Sequence, residues 1–171
     1  MPPVVVLIGP PGSGKSSVGA RLADLLGTTL RDTDADVEAA SGHSVADIFV
    51  SDGEERFREL ERIAVAAAMA EHDGVLSLGG GAPIDAETQT VLEEYVAGGG
   101  AVAFLDVSLT AAVPRVGLNA SRPLLLGNPR QRWLALMNER RPVYERLATL
   151  TVLTDDRKPK GIAKEIAEAL S

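Results

Sequence analysis

Val4-Val5-Val6-Leu7-Ile8-Gly9-Pro10-Pro11-Gly12-Ser13-Gly14-Lys15-Ser16-Ser17 runs from an apolar stretch through a glycine-rich turn into a helical pattern. The apolar residues read as a strand covered on both faces. Beyond the turn, Val18, Leu22, Leu25 and Leu26 recur at i, i+4, i+7 and i+8, and Gly27 stands where a helix-ending residue belongs. Gly9 to Ser16 has the spacing G-x-x-x-x-G-K-S, in the strand-then-helix context which that spacing requires. Such a turn curls its N–H groups inward around phosphate, and the helix N-terminus adds its dipole. Lys15 then reaches the β and γ phosphates, and Ser16 can ligate the Mg²⁺ that accompanies a nucleoside triphosphate. Gly12, Ser13, Gly14, Lys15, Ser16 and Ser17 are the candidate nucleotide contacts.

Working outward, further apolar runs at 75–78, 101–107 and 150–153 read as buried strands, with 28–32 a weaker fifth. Helical patterns lie between them: one after Asp52, which offers an N-cap, and others at about 86–97, 109–116, 130–146 and 160–170. Asp85, Ser108 and Asn128 can cap three of these, and Pro129 and Pro159 suit first-turn positions. Strands alternating with helices predict a three-layer α/β/α sandwich on a five-stranded parallel sheet. The 171 residues suit one domain, at roughly 100–200 residues per domain. Residues 117–128 break the rhythm with a connection longer than usual, of the kind that is either functional or disordered.

Composition removes several function classes. There is no Cys and there are two His, which excludes disulfides, thiolate metal sites and a Cys nucleophile and argues against a His-built metal site. A net charge of −7 argues against a nucleic-acid partner. The apolar start is cut by Gly9 and lacks a basic leader, so the expectation is a cytoplasmic protein with no membrane partner. His43 and His72 sit in turns, where exposed structural roles are expected.

Asp32-Thr33-Asp34 closes the second strand at its carboxyl end, the edge where open α/β sheets bind ligands. If the strand continued, both carboxylates would lie on one side, one for the metal's water shell and one to accept a hydroxyl proton. The alternative is an Asx turn capping the next helix. No guanine-reading Asn-Lys-x-Asp occurs and the chain is short for a motor, which favours a compact kinase.

Gly9–Ser16, Asp32-Thr33-Asp34, Phe57-Arg58-x-x-Glu61, Gly79-Gly80-Gly81 and Arg122-Pro123-Leu124 stand in the order and spacing of shikimate kinases, and the chain resembles that family over essentially its whole length. The resemblance implies a P-loop NTPase fold of the nucleoside-monophosphate-kinase type. It implies one kinase domain over 1–171, with a shikimate-binding region at about 33–61 and a mobile lid at about 117–129. The implied reaction moves the γ-phosphoryl group of ATP to shikimate, with Mg²⁺. Asp34 then matches the hydroxyl-binding base, and Asp32 the residue that reaches the metal through water. Arg58 and Arg140 match the carboxylate binders, a geometry that a guanidinium fork supplies and Lys does not. Glu61 and the glycines Gly79, Gly80 and Gly81 complete the acceptor contacts. Arg122 matches the lid arginine, and Arg115 and Pro159 match residues flanking adenine. Small size and this likeness point to a monomer.

Some features stand apart from the family pattern. Arg31 occupies a strand position that is usually apolar, implying an exposed edge or a snorkelling stem. Pro114, inside an expected helix, removes a donor and is expected to bend the chain before Arg115. Trp133 has helical spacing with Leu136, Met137 and Arg140, implying core packing. Without its resemblance, the Arg58/Glu61 spacing would read as a solvated surface pair. Gluconate kinase shares the phosphate loop and size but leaves the arginine set and glycine triplet less well explained. A nucleotide-binding module without chemistry is the reading from another class.

Overall fold

Val5 and Leu7 pack into one core and Val6 and Ile8 into another, so the first strand, β1 (Val5–Ile8), is buried on both faces. The computed structural model describes residues 2–116 and 128–171. In chain order β1 is followed by α1 (Lys15–Leu26), β2 (Leu30–Asp32), α2 (Thr33–Ser41), α3 (Val45–Ser51) and α4 (Gly53–Glu71). Then come β3 (Val75–Ser77), a 3₁₀ turn (Ala82–Ile84), α5 (Ala86–Ala97), β4 (Val102–Asp106) and α6 (Leu109–Val116). Last are α7 (Pro129–Leu147), β5 (Leu150–Leu153) and α8 (Pro159–Leu170). Among the described residues the strands form one parallel sheet in the order β2-β3-β1-β4-β5, with Val5 opposite Val75 and Val6 opposite Val102.

The period-2 alternation of the central strands assigns the layers. Val5, Leu7, Val75, Ala103 and Leu105 meet Val18 and Leu22 of α1 and Ile162 and Ile166 of α8. On the other face Val6, Ile8, Leu76 and Phe104 meet Val65 and Ala68 of α4, Leu92 of α5, and Trp133, Met137 and Tyr144 of α7. The expected α/β/α sandwich with five parallel strands is therefore what the chain forms. A smaller cluster of Val37, Ile48, Phe57 and Ala64 holds α2 and α3 against α4.

The structure adds α2 and α3, two short helices that the periodicity did not announce. Asp52 does not cap α4: its backbone is helical (φ −115°, ψ −13°) because it also ends α3, so its side chain makes no capping bond. Asp85, Ser108 and Asn128 do cap, accepting from Thr88, Ala111 and Gln131 backbone N–H groups. Asn128 and Pro129 begin α7, while residues 117–127 of the expected lid, Arg122 included, lie outside the described residues. α6 includes Pro114 and continues to Val116. Arg31 lies on the edge strand β2, where its guanidinium pairs with Asp36 at 2.7 Å and Glu71 at 3.0 Å. His43 is exposed, but His72 is half-buried: it ends α4 with Nε2 within 3.1 Å of both the Thr29 and Val75 carbonyls, tying β2 to β3.

Candidate active site

In the order β2-β3-β1-β4-β5, the connection leaving β1 goes to one side of it while β4 lies on the other, so a crevice opens at the carboxyl ends of β1 and β3. A cleft of about 310 Å³ occupies it, lined by Gly12, Gly14, Lys15, Ser16, Ser17, Asp32, Asp34, Gly79, Gly80 and Arg115 among others. Its floor is the glycine-rich turn. α2, α3, α5 and α7 have their first-turn N–H groups capped by a side chain, but α1 starts at Gly14 with neither a capping side chain nor an acidic residue in its first turn. That arrangement leaves its N–H donors and dipole for an anion. The Lys15 ammonium donates to the Gly9 carbonyl at 2.7 Å and the Pro10 carbonyl at 3.2 Å. Ser13 is fully buried, its Oγ has no hydrogen-bond partner among the described residues, and it does not line this cleft.

Asp32 ends β2 and Asp34 lies in the first turn of α2, so the strand does not carry both carboxylates along one side. The reason is local: Asp32 Oδ1 accepts from the Asp34 N–H at 2.8 Å and the Ala35 N–H at 3.4 Å, which turns the chain into a helix. The cap and the site thus share one residue. Thr33 between them is fully buried, and its Oγ1 accepts from the Gly79 N–H at 3.2 Å, fastening the glycine triplet to the start of α2.

Beyond Gly80 a second cleft of about 420 Å³ is lined by Arg58, Gly81, Arg132 and Arg140, among others. Arg58 donates to Glu61 Oε1 at 2.8 Å, and Glu61 is only 2% exposed, so this is no solvated surface pair. Burial pushes the Glu61 carboxyl above its ordinary pKa; the Arg58 charge and hydrogen bond oppose that, and the nearby Asp34 charge adds to it. The glycines let side chains approach the backbone closely. A Cβ on Gly79 would sit 2.7 Å from Asp34 Oδ1 and 3.0 Å from Glu61 Oε2, and one on Gly81 would sit 2.5 Å from both terminal nitrogens of Arg58. Arg140 is 5% exposed and reaches the same triplet, its Nη1 3.4 Å from where a Gly80 Cβ would be.

Arg115 and Pro159 line a third hollow of about 230 Å³ with Gly14, Ser17 and Val18. The Arg115 guanidinium donates to the Gly12 carbonyl at 3.1 Å and to the Thr154 hydroxyl and carbonyl at 3.1 and 2.9 Å. It therefore braces the glycine-rich turn against the end of β5.

Two buried side chains of α7 contact the site backbone in ways the sequence reading did not assign. The Trp133 indole N–H donates to the Pro11 carbonyl at 2.8 Å, and the Tyr144 hydroxyl to the Gly80 carbonyl at 2.5 Å. Their spacing of eleven residues, close to three helical turns, was the available signal that they share a face.

A family model described as shikimate kinase matches residues 11–171. A shikimate kinase of Thermobifida fusca is 52% identical over 168 residues, covering 98% of this chain and 95% of the relative. One of Salinispora arenicola is also 52% identical, over 171 residues, covering 100% of this chain and 99% of the relative. Among solved structures, a shikimate kinase from Acinetobacter baumannii in complex with shikimate superposes with a TM-score of 0.93 at 31% identity, covering 99% of this chain and 93% of that one.

Proposed function

This chain belongs to the shikimate kinase family, and from that premise we propose how its residues transfer the γ-phosphoryl group of ATP to the 3-hydroxyl of shikimate. The products are shikimate 3-phosphate and ADP, a step toward chorismate and the aromatic amino acids. The observation that carries the residue assignment is the position of the glycine triplet. Gly79 and Gly80 line the cleft of Lys15 and Asp34, and Gly81 lines the cleft of Arg58 and Arg140. One short segment thus borders both a phosphate cradle and a carboxylate fork.

In this reading, Lys15 and the open N-terminus of α1 hold the triphosphate, with Gly12, Ser13, Gly14 and Ser17 contributing backbone or flanking contacts. Arg115 and Pro159 flank the adenine. Arg58 and Arg140 grip the shikimate carboxylate, with Glu61 fixing the Arg58 guanidinium and Gly79–Gly81 letting the ring approach. Asp34 accepts the 3-hydroxyl proton as the shikimate oxygen bonds to the γ-phosphorus and the bridging oxygen leaves with ADP. Arg122 closes over the phosphates and balances charge during transfer.

Ser16 and Asp32 suit the Mg²⁺ that this reaction implies. They line one cleft, and among the described residues no group of three or more acidic, His or Cys side chains forms a metal cage. Mg²⁺ is commonly held by one or two protein oxygens together with substrate phosphates, which is what a hydroxyl and a carboxylate here provide. When bound, it neutralises charge on the β and γ oxygens.

The same reading makes the catalyst a cytoplasmic monomer whose partners are shikimate and ATP, without nucleic acid or membrane. The net charge of −7 argues against a nucleic-acid partner, and no helix among the described residues is long and apolar enough to cross a membrane.

The test is ADP release with ATP and Mg²⁺ in the presence of shikimate, gluconate or no acceptor, with the product identified by mass. Shikimate-dependent release is expected. Gluconate-dependent release would overturn the acceptor assignments, and nucleotide binding without turnover of either would point to a module that has lost its chemistry.

A further inference from the structure

The Pro11 carbonyl and the Gly12 N–H belong to one peptide unit, as do the Gly80 carbonyl and the Gly81 N–H. Peptide units are planar, and none in the described chain is cis, so each N–H points opposite to the carbonyl of its own unit. Whatever holds the carbonyl therefore aims the N–H. Pro11 O is held by the Trp133 indole at 2.8 Å, and Gly80 O by the Tyr144 hydroxyl at 2.5 Å. Both anchors are rigid: Trp133 is 4% exposed, and Tyr144 is fully buried with its ring 5.1 Å from that of Phe104.

A carbonyl oxygen only accepts, so the Tyr144 hydroxyl gives its proton to Gly80 O. Arg140, one helical turn earlier, reaches the same triplet, its Nη1 3.4 Å from where a Gly80 Cβ would be. Burial pushes the Tyr144 pKa up to about 12, although the Arg140 charge opposes the rise, so that proton stays in place through the working pH range. The hydroxyl therefore fixes the glycine peptide that lies beside a carboxylate-side arginine.

The two peptide units lie on different sides of the reaction. Gly12 lines the phosphate cleft, and Gly81 lines the arginine cleft. We propose that α7 carries two positioning residues, Trp133 aiming the Gly12 N–H at the nucleotide and Tyr144 aiming the Gly81 N–H at the acceptor. This rests on reading the clefts as donor and acceptor halves of one kinase site. The two units lie side by side, a Cβ on Gly80 falling 3.3 Å from Pro11 Cδ, and both are held from α7. A single helix thereby orients donor and acceptor against each other.

The test is a pair of conservative substitutions in the full chain, Tyr144→Phe and Trp133→Phe, each keeping a ring in its packing site and removing one hydrogen bond. Steady-state KM for ATP and shikimate is measured for both, together with calorimetric binding of each substrate and Tm. Tyr144→Phe is expected to raise the shikimate KM and Kd about three- to tenfold with ATP values unchanged. Trp133→Phe is expected to do the reverse. A third variant, Ile166→Val, trims the core on the other face of the sheet, away from α7, and should move Tm but neither KM. Equal changes in both substrates, or a Tm loss with no KM change, would overturn the proposal. A wild-type chain that does not phosphorylate shikimate would instead overturn the functional reading beneath it.

Discussion

Arg58 and Glu61 meet at 2.8 Å, and the Glu61 side chain is only 3% exposed while that of Arg58 is 19% exposed. Glu61 thus holds the inner end of a guanidinium whose outer edge faces the cleft. Burial, only partly offset by Arg58, raises the Glu61 pKa in the folded state. An acid raised on folding binds more protons native than unfolded between its two pKa values, so its contribution to stability falls as pH rises through that window. The window opens near the unfolded Glu value of about 4.3 and extends upward. The Tm of the wild type minus that of Glu61→Gln should therefore decline as pH rises from about 4.3 toward neutrality, because Gln does not titrate. A flat difference across that range would remove the burial cost from Glu61.

The glycine triplet allows acceptor binding and chemistry to be separated by single methyl groups. Gly81→Ala places a Cβ 2.5 Å from the Arg58 terminal nitrogens, which are the far end of a flexible side chain and can shift. The fold should survive with the fork displaced, and the shikimate KM should rise about tenfold or more, the scale of a lost charge-assisted bond. Gly79→Ala instead meets Asp34 Oδ1 at 2.7 Å and should lower kcat more than it raises the shikimate KM. Steady-state kinetics of the two variants checks the contrast, and matching profiles would show that the triplet acts as one unit.

Asp32 serves both as the cap of α2 and, in the proposed mechanism, as a metal-side carboxylate. Asn caps about as well as Asp, so Asp32→Asn should leave stability within about 0.5 kcal/mol while raising the Mg²⁺ concentration needed for half-maximal turnover. Asp32→Ala should show the same Mg²⁺ defect and lose about 1 kcal/mol as well. Urea unfolding and Mg²⁺ titration of turnover separate the two roles. An Asn variant with wild-type Mg²⁺ dependence would leave Asp32 as a cap alone.

The elements that sequence reading located share long, one-sided periodicity or an unbroken apolar run: β1 and β4 between glycines and acids, α1 with its Gly27 stop, α5 and α6 at their observed bounds. The helices α2 and α3, of nine and seven residues, bury only two and one residues respectively, so no stripe develops to announce them. Phe57 and Ala64 of α4 complete their packing, a tertiary contact that no local window contains. The Arg58/Glu61 spacing is equally mute about burial, because the segment that covers the pair arrives from the end of β3. Which groups Trp133 and Tyr144 donate to depended on the sheet order, which brings the turn after β1 and the triplet after β3 onto the same flank of α7. The phosphate turn was legible because its spacing carries its own backbone geometry, and Asp32 and Asp34 because they close a strand at the ligand-binding edge, whereas the arginines and the glycine triplet were legible only through resemblance.

Asp34 bears the heaviest chemical assignment. It starts α2 beside the glycine triplet, its Oδ1 2.7 Å from the position a Gly79 Cβ would take, and it lines the same cleft as Lys15. A carboxylate placed there can take the acceptor's proton as the oxygen–phosphorus bond forms, a role worth on the order of 10²- to 10⁴-fold in rate. Asp34→Asn keeps the size and much of the hydrogen bonding but cannot accept that proton. Its kcat should fall at least a hundredfold, while ATP affinity, which the proposed mechanism assigns to Lys15 and the α1 N-terminus, stays within about twofold. Measuring both on one preparation distinguishes the base from a structural residue, since a misfolded variant would lose nucleotide binding too. If kcat falls less than about tenfold with ATP binding intact, the proton leaves by another route and Asp34 serves only to hold the hydroxyls.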